Sequence, residues 1–247
     1  MNKSGILVDF PGLAGAKSPQ DVVVFFDDFL GASWNTSADA AVWNETLVAQ
    51  AATGLSILDG TDDAEDEAGG VLCIETEATA DDGENLQVNG HAFHFADGYP
   101  LYYEARLNIK DVSNMDLFIG LSVTDAEIIT GGASDRCGFE LSGGTLSYLS
   151  ENTTAQKTVD TAITETDDQW IRVAFLWDGD NELKFYIDDD DDGEFTHLGT
   201  LKADVTAHYV CQDMMLTPTI EAIVGTTATT EIAYVDYVYC AQQRYKA

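Results

Sequence analysis

Short apolar runs separated by turn residues recur along the chain from residue 22 onward. The run 22–26 is continuously apolar and ends at two aspartates, whereas the run 101–109 alternates after its second residue. The alternation places four side chains on one face: Tyr103, Ala105, Leu107 and Ile109. A two-residue period of this kind predicts β-strands with one buried face.

Patterns typical of helices are nearly absent, and Gly, Asp and Asn residues stand between the apolar runs. Ser142-Gly143-Gly144-Thr145, which joins two such runs, is a hairpin signal. Many short strands with few helices predict an all-β fold, built as an antiparallel β-sandwich or a barrel. No linker interrupts the pattern, so residues 21–247 are predicted to form a single domain.

Residues 1–20 have a different character and are predicted to form an extended N-terminal arm. This segment holds two of the four prolines and shows no periodicity. A frayed terminus is one interpretation. The other is an arm that lies on a partner or a neighbouring subunit, because several of its side chains are apolar: Ile6, Leu7, Val8, Phe10 and Leu13.

The charge of the chain limits its partners. Forty-four acidic residues against 11 Lys and Arg give a formal charge of −33. Binding to nucleic acid requires clustered basic side chains, and anionic lipid repels such a chain, so neither partner is expected. The four cysteines are widely spaced and form no Cys-x-x-Cys pair. They are predicted to be buried thiols of a protein made in a reducing cytoplasm.

One acidic stretch has the spacing of a cation site. Asp188, Asp190 and Asp192 alternate before Gly193, as in the first half of a calcium loop, and Glu194 follows. Position twelve of an EF-hand would be Gly199, which excludes that motif. Two interpretations of this stretch stay open: a solvated acidic turn that blocks edge pairing by repulsion, or a hairpin-tip Ca²⁺ site made by Asp188, Asp190 and Asp192 with the Glu194 carbonyl and waters. No other cofactor is expected.

Three C-terminal segments resemble the closing strands of concanavalin A-like lectin/glucanase jelly rolls: FLWDGDNELKFYIDDD, LTPTIEAI and IAYVDYVYCAQQR. Two central segments resemble bacteriophage particle proteins with the same sandwich: GYPLYYEARLNIKDVSNMDLFIGLSVTDAEI and ASDRCGFEL. The resemblance implies a concanavalin A-like jelly roll on a virion surface. It also implies contacts with the major capsid protein and with further copies of the chain.

The glucanases of this fold carry their catalytic carboxylates on one strand, as Glu-x-Asp-x-Glu or Glu-x-Asp-x-x-Glu. Neither spacing occurs around Glu75, Glu104 or Glu140. The sequence-based expectation is therefore a protein that is not an enzyme and that decorates or cements a phage capsid. The alternative is a lectin-like module of a tail fibre or adhesin that binds a host-surface glycan.

Overall fold

A computed structural model describes residues 21–30, 34–35, 42–49, 54–58, 70–90, 92–131, 134–153, 155–203, 210–212, 214–225, 227 and 229–244. The predicted arm, residues 1–20, lies outside these residues, so the predicted boundary between arm and domain stays a prediction. Among the residues that the structure describes, no helix has the length and apolar character needed to cross a membrane.

Within the described ranges, sixteen strands form the fold. In chain order they are β1 (Val22–Asp27), β2 (Trp34–Asn35), β3 (Trp43–Val48), β4 (Gly54–Leu58), β5 (Val71–Glu75), β6 (Gly83–Val88), β7 (Leu101–Ile109), β8 (Met115–Ser122), β9 (Arg136–Ser142), β10 (Thr145–Asn152), β11 (Ala155–Thr164), β12 (Trp170–Trp177), β13 (Glu182–Asp188), β14 (Thr196–Lys202), β15 (Thr217–Val224) and β16 (Ile232–Gln243).

The strands form two sheets. The first sheet has the order β14-β13-β12-β7-β16-β5-β4, and β1 pairs with the second half of β16. The second sheet has the order β11-β10-β9-β8-β15-β6-β3-β2. All pairs are antiparallel except the short β2–β3 pair. The predicted all-β antiparallel sandwich is therefore confirmed.

One large apolar core fills the space between the sheets. Tyr103, Ala105, Leu107 and Ile109 of β7 all belong to it, which confirms the predicted alternation. Tyr103 stacks on Phe175 with ring centroids 4.8 Å apart. The four cysteines are buried and free, as predicted. Burial of these side chains supplies most of the driving force for folding and fixes the outward direction of the alternate residues.

Candidate functional site

The Asp-rich turn between β13 and β14 closes on Asp188, whose side chain is fully buried. Its carboxylate accepts hydrogen bonds from the backbone N–H of Asp192 at 3.1 Å and of Gly193 at 3.0 Å. It also pairs with the guanidinium of Arg172. Gly193 has φ of 100°, a conformation that favours glycine.

The carboxyl groups of this turn have pKa values that are shifted in opposite directions. Burial alone would raise the pKa of Asp188, but the Gly193 N–H and the Arg172 charge outweigh burial and lower it. Asp190 has a raised pKa, because of desolvation and then repulsion by Asp192 and Asp188. The turn thus contains one carboxylate that is neutralised by an arginine and others that repel one another.

The structure brings three of the four predicted calcium ligands together. Asp188, Asp190 and Asp192 each place a carboxylate oxygen within 4.8 Å of the others. Glu194 is expected to contribute its backbone carbonyl, and its backbone N–H donates to Asp192 Oδ1 at 2.8 Å. Calcium binding at this turn stays a prediction, and Arg172 already supplies one positive charge to Asp188.

An open cleft of about 310 Å³ adjoins the turn on the outer face of the first sheet. We call it the arginine cleft; it is lined by Arg106, Arg172, Asp191, Asp192, Gly193, Asp236 and Tyr237. Its volume is at the lower end of the range for small-ligand sites.

Asp191 connects the two arginines of the cleft. It accepts from Arg106 Nη2 at 2.7 Å and lies 3.1 Å from Arg172 Nε. Arg106 Nη1 also donates to Asp236 at 2.9 Å. Asp236 occupies a β-bulge of β16, between Val235 and Tyr237, and the extra residue directs its carboxylate to Arg106. These pairs hold both guanidinium groups in fixed orientations.

Aromatic rings support the arginines. The Arg106 guanidinium carbon lies 4.3 Å from the ring centroid of Trp170, and that of Arg172 lies 5.4 Å from Phe195. Such contacts orient the planar group and leave its edge for hydrogen bonds. Beside the cleft, Glu104 accepts hydrogen bonds from the hydroxyls of Tyr102 and Tyr237.

The outer face of the second sheet is partly covered by the segment 123–131. Glu221 accepts hydrogen bonds from the backbone N–H of Ile128 at 2.7 Å and of Ile129 at 2.8 Å. Phe118, Ile128 and Leu149 form a small apolar cluster beneath the segment. Burial raises the pKa of Glu221 to about 7, although the two N–H groups lower it.

Two carboxylates lie next to this covered area. Glu140 of β9 pairs across the sheet with Phe118, and Asp116 lies two residues from Phe118 on the same face. The pKa of Glu140 is raised, first by burial and then by Asp116, while Arg136 at 3.2 Å opposes the shift. The two acids come from adjacent strands, which a search for a single-strand motif does not detect.

Sequence reasoning also missed a buried acid, Glu84 of β6. Its side chain is fully buried, faces the core with Leu86, and neither carboxylate oxygen has a hydrogen-bond partner. Burial and the charge of Glu45 raise its pKa to about 8. Glu84 lies in the run GENLQV. Half of this run is polar, so the sequence did not indicate that Glu84 is buried in the core.

The arginines of the cleft were missed as well, although a signal existed. The chain has only four arginines, and two of them occupy outward positions of predicted strands. What the sequence did not show is that β7 and β12 are neighbours, with Arg106 opposite Arg172.

No protein-family model matches the chain, and no curated protein matches it significantly. Solved structures do match. A protein of unknown function from Shewanella oneidensis MR-1 has a TM-score of 0.61 at 15% identity, covering 92% of this chain and 90% of its own. Peanut lectin has a TM-score of 0.58 at 11% identity, with 90% and 97% covered. An endo-1,3-beta-glucanase from Streptomyces sioyaensis has a TM-score of 0.56 at 15% identity, with 93% and 99% covered.

These neighbours confirm the predicted lectin/glucanase jelly roll and correct one expectation. The expectation that the chain is not an enzyme is wrong, because glycosyl hydrolases and β-1,3-glucanases share its architecture over most of its length. The absence of a single-strand carboxylate motif was not sufficient ground for it. At these identities the likeness establishes the fold of this chain, a concanavalin A-like jelly-roll sandwich of the kind found in lectins and glucanases.

Proposed function

We propose that the protein recognises a saccharide and that the arginine cleft is the binding site. The observation that carries this proposal is the composition of the cleft, which combines two fixed guanidinium groups, three carboxylates and a tyrosine around about 310 Å³. The virion role that the sequence resemblance implies stays a prediction, and saccharide recognition matches its lectin-like alternative.

The groups in the cleft match the chemistry of sugar hydroxyls. A hydroxyl both donates and accepts, so it can donate to Asp191 or Asp236 while it accepts from Arg106. Aromatic rings provide flat apolar surface for the CH faces of a sugar ring, and Tyr237 lines the cleft. Because Asp191 and Asp236 already pair with the two arginines, a neutral ligand can bind without breaking these pairs.

The charge of the whole chain supports the same ligand class. A net charge of −33 opposes the approach of anionic ligands such as phosphates and nucleic acids. Arg106 and Arg172 line the cleft beside three carboxylates, so the cleft itself offers an anionic ligand little compensation. A neutral saccharide does not meet this repulsion.

Arg106→Gln is expected to weaken saccharide binding at least tenfold, because a charged hydrogen bond to a ligand contributes about 1.5 kcal/mol or more. An array of neutral glycans identifies the ligand, and titration calorimetry measures its affinity for wild type and variant. Lys202→Gln is the matched control, since Lys202 is exposed and lies outside the cleft. Binding to no neutral glycan, or equal affinities of wild type and Arg106→Gln, would refute the proposal.

Hydrolysis of a β-glucan is a second candidate function, favoured by the Asp116–Glu140 pair. Glycoside hydrolysis needs one carboxyl group with a raised pKa as general acid and a second carboxylate facing the same groove. Glu140 has the raised pKa, and Asp116 lies on the same face of the neighbouring strand. The endo-1,3-beta-glucanase among the structural neighbours makes a soluble β-1,3-glucan the natural substrate to test.

Wild-type protein is expected to release reducing ends from that glucan, and Glu140→Gln is expected to lower the rate at least about a hundredfold. Glu151→Gln is the control, because Glu151 also pairs with Arg136 but belongs to β10. If the wild type releases no reducing ends, or if Glu140→Gln is as active as the control, hydrolysis at this pair is excluded.

A further inference from the structure

A row of side chains crosses the first sheet beside the arginine cleft. Cross-strand partners connect β1, β16, β7, β12, β13 and β14 in one line of outward positions. We call this line the aromatic row; its residues are Phe26, Tyr239, Glu104, Ala174, Tyr186 and His197. With strands about 4.8 Å apart, the row is about 24 Å long.

The row lies directly next to the cleft. Along each strand, a residue of the row and a cleft residue on the same face are two positions apart: Glu104 and Arg106, Ala174 and Arg172, and Tyr239 and Tyr237. Glu104 connects the row with the cleft, because its carboxylate accepts a hydrogen bond from the hydroxyl of Tyr237 in the cleft. A ligand held in the cleft therefore has the row along its side.

Rings stand at both ends of the row. Phe26 is 56% exposed, and its ring centroid lies 6.3 Å from that of Tyr239 and 6.2 Å from that of Tyr237. At the other end, Tyr186 and His197 have centroids 5.3 Å apart. The exposed Phe26 ring therefore leaves apolar surface open at its end of the row.

We propose that the aromatic row extends the saccharide site, so that the ligand is a neutral glycan chain of several sugars rather than a single sugar. This inference rests on the proposed function of the cleft. The rings form two pairs, Phe26 with Tyr239 and Tyr186 with His197, and Glu104 and the buried Ala174 lie between the pairs. Two separated ring pairs suit successive sugars of one chain, and Glu104 offers a carboxylate to the hydroxyls between them. The length of the row exceeds what one sugar ring can cover.

The charge of the protein favours a neutral glycan over a second copy. The outward-facing basic residues are already paired here: Arg106 with Asp191 and Asp236, Arg172 with Asp188 and Asp191, and Lys184 with Glu182. A second copy with a charge of −33 is repelled over the rest of its surface.

The test uses β-1,3-linked glucose oligomers, from glucose to the hexasaccharide, titrated against the full chain. Affinity is expected to rise at least tenfold from the disaccharide to the hexasaccharide. Phe26→Ala is expected to remove most of this gain, about tenfold for the hexasaccharide, while the disaccharide binds as before. Val24→Ala is the control, since Val24 is 44% exposed on the same strand and face but belongs to the next cross-strand row.

The outcomes separate the two proposals. If affinity does not depend on chain length, or if Phe26→Ala and Val24→Ala bind the hexasaccharide equally, the row is not a binding surface and the cleft proposal survives. If no oligomer binds and the array of neutral glycans shows no ligand, the cleft proposal fails and the row proposal fails with it.

Discussion

Replacing Glu84 with glutamine is expected to raise the free energy of unfolding by about 3 kcal/mol at pH 7. The Glu84 side chain is fully buried, and neither carboxylate oxygen has a hydrogen-bond partner. Burial and then the charge of Glu45 raise its pKa from 4.5 to about 8. The folded protein must therefore hold a proton at neutral pH that the unfolded chain releases, and glutamine removes this requirement without a change of shape.

The sign of the pH dependence follows from the raised pKa. A carboxyl group that binds its proton more tightly in the folded state stabilises the fold below the unfolded pKa of 4.5. That stability is lost as the pH rises from 4.5 through about 8. Glu165 and Glu221, with pKa values of about 7, act in the same direction over a narrower range. The wild type is expected to be more stable at pH 5 than at pH 8, and Glu84→Gln to flatten that slope.

Urea unfolding at several pH values measures the effect. Wild type and Glu84→Gln are expected to agree near pH 4.5 and to separate progressively up to pH 8. Glu75→Gln serves as the control, because Glu75 is an exposed glutamate at the end of β5. Equal unfolding free energies of wild type and Glu84→Gln at pH 7 would show that Glu84 ionises as easily in the folded protein as in the unfolded chain.

The sequence was sufficient to predict the strands but not to predict which strands are neighbours in each sheet. The alternation in 101–109 predicted the core-facing residues of β7, because a side chain's face depends only on its position along the strand. The order of strands in a sheet depends on contacts between residues that are far apart in the sequence. The contacts of β7 with β12 on one edge and β16 on the other therefore could not be derived from local patterns.

The candidate site was predicted in part for the same reason. The Asp-rich turn is a local feature, and the spacing of Asp188, Asp190 and Asp192 correctly placed them close together. Arg106, Arg172 and Asp236 reach the cleft from three different strands, and Asp236 does so through a bulge that no local pattern indicates. Their arrangement can be recognised only when the order of the strands in the first sheet is known.

Arg172→Met is expected to lower the free energy of unfolding by about 3 kcal/mol at pH 7. The Asp188 side chain is fully buried and that of Arg172 is 20% exposed, so the substitution leaves a buried carboxylate without its counter-charge. Asp190 and Asp191 then repel that carboxylate more strongly. Two backbone N–H groups still donate to Asp188, which is why the turn is expected to persist rather than to unfold.

Acidification separates this electrostatic cost from lost packing. The lowered pKa of Asp188 means that its contribution to stability is present above the ordinary pKa of 3.8 and is lost as the pH falls through the folded-state value. In Arg172→Met the pKa of Asp188 rises, so acid should destabilise the variant less than the wild type. The difference between the two proteins is expected to shrink toward pH 3.

A double-mutant cycle with Asp188→Asn isolates the pair, since the neutral amide no longer needs the arginine. The double variant is expected to be more stable than Arg172→Met alone. Lys110→Met is the control, because it removes a half-exposed pair with Asp168 at 2.6 Å and should cost less than about 1 kcal/mol. If Arg172→Met costs no more than this control, Asp188 does not depend on the arginine for its charge.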